Sequence, residues 1–139
     1  MEFVFDRTKT DVLLGTKKGS YSAEDLNRVE SAVAELSVLA KELGVTKPFI
    51  TKTNWRSPGL FSVSEWPTKS QMQRYLENVT RLCDAVAIKG NLPTSMEKLT
   101  WEKANKIEQS LSQVYERIRL TVKMFRYSGE IFSGEESYL

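Results

Sequence analysis

Histidine is absent from the 139 residues, and cysteine occurs once, as Cys83. Without histidine the chain lacks the commonest general base near neutral pH and the usual nitrogen ligand of metals. One cysteine and no histidine cannot build a zinc site of ordinary type, and a lone thiol cannot close an internal disulfide. The expectation is a reducing compartment, no metal and no cofactor. No apolar run approaches the roughly 18 residues of a membrane span. Neither GxxxxGK nor GxGxxG occurs, and the seven glycines are scattered singly, so no phosphate-cradling loop is signalled. The start, MEFVFDRTK, carries an acid where a secretory signal needs a basic segment, which points to a protein folded in the cytoplasm. Together these absences argue against an enzyme.

What is present is ordinary for a globular chain: 40% hydrophobic and 27% charged residues, enough to form a core without staples. The length fits a single helical domain over 1–139, with 1–5 and 135–139 expected to be loose. Twenty basic against 18 acidic residues leave a net charge of +2, too little to argue for nucleic acid, which calls for a concentrated basic face.

The fold class that follows is mainly α: a bundle of three main helices plus a short N-terminal helix. A short extended segment around 48–55 and an irregular C-terminal tail complete it. Asp6 can cap a first helix over Arg7 to about Lys17, with Val12 and Leu13 buried. Ser22 and Asp25 resemble a capping box, and Leu26, Val29, Val33, Leu36, Leu39, Ala40 and Leu43 keep a helical period up to Gly44. From Phe49 to Trp55 the β-branched and aromatic content reads as extended chain, followed by a turn at Arg56–Gly59. Pro67 and Thr68 open the next helix, with Gln71 completing a capping box and Met72, Tyr75, Leu76, Val79, Leu82, Cys83 and Val86 facing inward. The thiol is expected to be packed rather than reactive. The longest helix runs from Thr100 to about Arg126 on a seam of Ala104, Ile107, Leu111, Val114, Ile118, Val122 and Phe125. A serine–glycine pair at 128–129 is expected to end it. The tail repeats SGE at 128–130 and 133–135.

Two runs share one pattern: SAEDLNRVE at 22–30 and TWEKANKIE at 100–108. Helix capping explains the hydroxyls, Ser22 and Thr100, and the first-turn acids. It does not explain Asn27 with Glu30, or Asn105 with Glu108. Each pair is spaced by three and so shares one side of a helix, beside the apolar stripe. Asparagine is a poor helix former, so its recurrence at the same depth implies a partner for the amide. The preferred reading is that each pair points inward and fastens an adjoining segment. The competing reading makes Glu30 and Glu108 a carboxylate pair for acid–base work or a hard metal.

The order DRTKTDV, YSAEDLNRVESAVAEL, ITKTNW, PTKSQMQRYLENVTRLCDA, LTWEKANKIEQSL and FRYSGEIFSGE resembles a family of small phage and prophage structural proteins of Gram-positive bacteria. Members occur alone or as segments of larger tail and baseplate proteins. The resemblance implies a non-enzymatic virion component of the tail, baseplate or fibre region, assembled in the host cytoplasm. Its implied partners are other phage structural proteins, in a homo-oligomer or symmetric assembly. The positions that carry it as a structural signature are Asp25, Leu26, Asn27, Arg28, Glu30, Asn105 and Glu108, with Tyr127, Ser128, Gly129 and Glu130. The stretch RSPGLFSVSEW fits less well than its flanks. Candidate partner contacts are Trp55, Leu60, Phe61, Trp66, Tyr127, Glu130 and Phe132. Two other functions compete: adsorption to host-surface polysaccharide through the aromatic loop 55–66, and DNA binding through Lys103, Lys106, Arg117, Arg119 and Lys123.

Overall fold

The computed structural model describes residues 1–56 and 66–133, the stretch 125–133 by its backbone alone. Four helices follow in order: α1, Lys9–Leu14; α2, Ala23–Lys41; α3, Lys69–Ala85; and α4, Trp101–Ser133. No strand occurs among the described residues. Helices α2, α3 and α4 pack against one another in a bundle, as their apolar periods require. The shared core takes Leu26, Val29, Val33 and Leu36 from α2, Tyr75, Val79 and Leu82 from α3, and Ile107, Leu111, Val114 and Ile118 from α4.

Local chemistry sets the helix starts. The Asp25 carboxylate receives the backbone N–H of Ser22 at 2.7 Å at the head of α2. At α3, Thr68 N–H donates to Gln71 Oε1 at 2.9 Å while Gln71 N–H donates to the Thr68 hydroxyl at 3.2 Å. Thr100 accepts the Lys103 N–H at 3.2 Å at the head of α4. Past the end of α2, Gly44 adopts φ 94°, a left-handed conformation suited to a residue without Cβ.

The first helix differs from the sequence expectation. It begins at Lys9 behind Thr8, which exchanges hydrogen bonds with Asp11, and ends before Gly15. Asp6 caps nothing there and pairs with Lys18 at 3.3 Å instead. Arg7 is drawn out of the helix because its backbone is bonded to Asn105. Val12 and Leu13 are not buried: α1 has no buried residue, and Leu13 is 76% exposed. Residues 1–5, expected to be loose, are fastened: Phe3 packs on the core and Val4 N–H bonds to Glu108. At the other end α4 does not stop at Ser128–Gly129 but continues to Ser133. One glycine inside a helix costs only about 1 kcal/mol, too little to break it unaided. Residues 134–139 lie outside the described residues.

The segment 48–55 is extended but pairs with no strand. Its carbonyls are taken by side chains of α3: Ile50 O accepts Asn78 Nδ2 at 2.8 Å and Arg74 at 2.7 Å, and Pro48 O accepts Arg81 at 3.0 Å. Arg81 also lies 3.8 Å from the centre of the Phe49 ring.

Cys83 is buried on the inner face of α3, and burial pushes its thiol up to about 11. At pH 8 it is therefore neutral as well as enclosed. A thiol-reactive disulfide reagent is expected to label the folded chain far more slowly than the denatured chain, and equal rates would show that α3 is not packed as described.

Candidate functional site

All the charged side chains buried among the described residues, Arg7, Asp25, Glu30 and Glu108, belong to two groups built on the first turns of α2 and α4. Asn27 lies in the second turn of α2, facing Trp55. Its Nδ2 donates to the Trp55 carbonyl at 2.8 Å, and its Oδ1 accepts the Trp55 N–H at 2.6 Å. One amide thus satisfies both backbone groups of one residue, as a neighbouring strand would. Glu30, one helical step further along the same face, accepts the Trp55 indole N–H at 2.7 Å. Arg74 of α3 forks onto the same carboxylate at 2.6 and 2.9 Å.

The second run makes the same device on α4. Asn105 Nδ2 donates to the Arg7 carbonyl at 3.0 Å, and its Oδ1 accepts the Arg7 N–H at 3.1 Å. Glu108 accepts Val4 N–H at 3.0 Å and Arg7 Nη2 at 2.9 Å. From α2, Arg28 Nε and Nη2 reach Glu108 at 2.6 and 2.7 Å. Asp25 closes the group, receiving Arg7 at 3.1 Å and Arg28 at 2.5 Å. Two arginines and two carboxylates therefore cancel. The cluster has little access to water: Arg7 is 3% exposed and Glu108 fully buried. Hydrogen bonding to Glu108 is the chief reason that Arg28 holds its proton even more firmly than a free guanidinium.

Beside the cluster, the hydroxyls of Tyr21 and Tyr75 are hydrogen-bonded to each other, and the Arg7 guanidinium lies 5.4 Å from the centre of the Tyr21 ring. Burial raises both tyrosine hydroxyls well above their ordinary value.

Such a site positions chain; it does not present free chemistry. Every oxygen of Glu30 and Glu108 is engaged by arginine, indole or amide donors. Each carboxylate serves its own clamp, and the two share no donor among these bonds. Among the described residues no group of three or more His, Cys, Asp or Glu is placed to hold a metal ion.

Of the signature positions, Asp25, Asn27, Arg28, Glu30, Asn105 and Glu108 all take part in these two clamps. Trp55, read as a candidate partner contact, is instead 4% exposed and bonded through backbone and indole, so its ring belongs to the core. Trp66 is exposed, at 59%. Leu60 and Phe61 lie outside the described residues, and Tyr127, Glu130 and Phe132 fall where α4 is described by its backbone alone. Arg7 and Arg74 complete the clamps and are not among the sequence candidates. Nothing in their local sequence marks them, since their partners lie 101 and 44 residues away.

Comparison of the chain with protein-family models, with curated proteins and with solved structures finds no match to any of them.

Glu108→Gln leaves buried Arg7 and part-buried Arg28 facing one carboxylate, and is expected to cost about 3–5 kcal/mol in urea unfolding. Asn27→Ala and Asn105→Ala each strand one residue's backbone groups, for about 1–3 kcal/mol apiece. A change below about 0.5 kcal/mol in any of the three would deny the clamps their role. The tyrosines give a pH test. An unfolded chain releases tyrosine protons near the ordinary pKa of 10.0, whereas folded Tyr21 and Tyr75 retain theirs. Stability should therefore fall as pH rises past 10.0. Tyrosinate absorbance should show two of the five tyrosines ionising only as the chain unfolds.

Proposed function

We propose that this chain is a non-enzymatic structural component of a phage particle, acting through protein–protein contacts in the tail, baseplate or fibre region. The observation that carries the reading is the use made of the two NxxE runs. Their polar groups, the residues best suited to chemistry, are spent on holding non-helical segments against a bundle. The sequence resemblance supplies the setting, and a scaffold whose buried charges fix the placement of its segments suits repeated assembly in a defined geometry.

The competing readings lose ground on named residues. Polysaccharide adsorption through 55–66 cannot use the Trp55 ring, which is enclosed. DNA binding along α4 would need Arg117 and Arg119, but Arg117 donates to the Val86 carbonyl at 2.9 Å and Arg119 pairs with Glu116 at 3.0 Å. Light scattering after size exclusion, on the chain alone and mixed with candidate phage tail and baseplate proteins, tests the proposal. A stable complex with at least one of them is expected. A chain that binds none, and is absent from purified particles, is not a virion component.

A further inference from the structure

The N-terminal fourteen residues are the least self-sufficient part of the molecule. They hold five of the ten large hydrophobic residues that are exposed among the described residues: Met1, Phe5, Val12, Leu13 and Leu14. α1 buries nothing. Such a concentration of exposed apolar side chains on one short stretch points to a covering partner. What holds the stretch is chiefly a receptor on α2 and α4, beside the Lys18 pairing with Asp6 and the Tyr21 ring under Arg7. Asn105 clamps the Arg7 backbone, Glu108 takes Val4, and Asp25 with Glu108 neutralises the Arg7 guanidinium.

We propose that residues 1–14 exchange between two copies of this chain, each arm seating in the other copy's Asn105–Glu108–Asp25 receptor. The partner is fixed by chemistry. A second copy carries a receptor that matches the arm's charge, its backbone groups and the Phe3 packing site, so exchange preserves every one of those bonds. It also brings two sets of exposed Val12, Leu13 and Leu14 onto one assembly. The two clamps differ in a way that permits this. Segment 50–55 is internal to the chain and held between α2 and α3, the helices on either side of it in sequence. The arm is terminal: its backbone is clamped by α4, 98 residues away, its Arg7 guanidinium also reaches Asp25 of α2, and it is joined to the bundle only through residues 15–20, none of which is buried.

That joining stretch has a specific closed form. Thr16 N–H donates to Asp11 O at 3.1 Å, and Gly19 N–H donates to Thr16 O at 3.1 Å, folding the chain back on α1. A Cβ on Gly19 would lie 2.4 Å from the Asp11 carbonyl oxygen, a backbone atom that cannot swing away. Gly19→Ala therefore opposes the fold-back at the Asp11–Val12 backbone of α1, leaves the clamped residues 3–7 and their receptor unaltered, and releases the arm to reach another copy.

The test uses the full chain. Gly19→Ala should double the mass measured by light scattering from 15.9 kDa, with helix content unchanged. A photoreactive phenylalanine at position 3 should cross-link tagged to untagged copies in that dimer, and in the unsubstituted chain at millimolar concentration. Adding Arg7→Ala to Gly19→Ala should return the mass to that of one chain. The proposal is overturned if Gly19→Ala remains monomeric, if cross-links form only within single chains, or if the dimer survives the loss of Arg7. Should Gly19→Ala fail to fold, the cross-linking of the unsubstituted chain decides alone. These outcomes are separate from the virion reading, which concerns contacts with other proteins.

Discussion

The arrangement depends first on the Glu108 carboxylate. It is fully buried, so its charge has to be met by positive and hydrogen-bonding groups within reach, or the folded state bears the whole desolvation penalty. Arg7 and Arg28 meet it, and each reaches it from a different part of the chain. That single requirement fixes the register of α4 against α2 and brings the N-terminal segment onto both. Asp25 then balances the second arginine, at the same time as it caps the head of α2. A residue that caps a helix has also become a counter-charge.

The second constraint is the backbone of the non-helical segments. Residues 4–7 and 50–55 lie against helices, where no strand offers them a ladder, yet their N–H and carbonyl groups must be paired where they are covered. An asparagine amide copies the donor and acceptor of a peptide group, and its place one turn inside a helix aims it at the neighbouring chain. The glutamate three residues later lies on the same face and reaches the side chain of the clamped residue: the Trp55 indole in one case, the Arg7 guanidinium in the other. The repeated pattern is thus one mechanical solution used twice. The targets differ in side chain because the solution reads the backbone first.

Much of this was legible in the sequence where the signal is local. The Thr68–Gln71 box, the apolar periods of α2, α3 and α4, and the mismatch of asparagine with helix interiors required no knowledge of distant residues. The errors arose where a distant contact decides between local equals. Asp6 and Thr8 are both good helix caps, and the choice falls to Thr8 because Asn105 holds Arg7 extended. Trp55 sits in a stretch without period, so nothing nearby tells burial from display; Asn27 and Glu30 tell it in space. Gly129 weakens a helix only modestly, and its neighbours carry the helix past it.

Paired charges in an interior are weak contributors to net stability, because desolvation offsets most of their attraction. The apolar seams alone would hold α2, α3 and α4 together, and hydrophobic contact tolerates sliding by a turn. Shifting α4 by one turn, about 5.4 Å, would carry Glu108 away from Arg7 and Arg28 and Asn105 away from the Arg7 backbone. The polar clamps thus add little to how tightly the bundle holds and a great deal to which bundle forms. They act near the heads of α2 and α4, whereas α4 runs 15 residues past Ile118, the last fully buried position among its described side chains. At about 1.5 Å per residue, that continuation is roughly 22 Å of helix, anchored at its start where Val122 packs against the core.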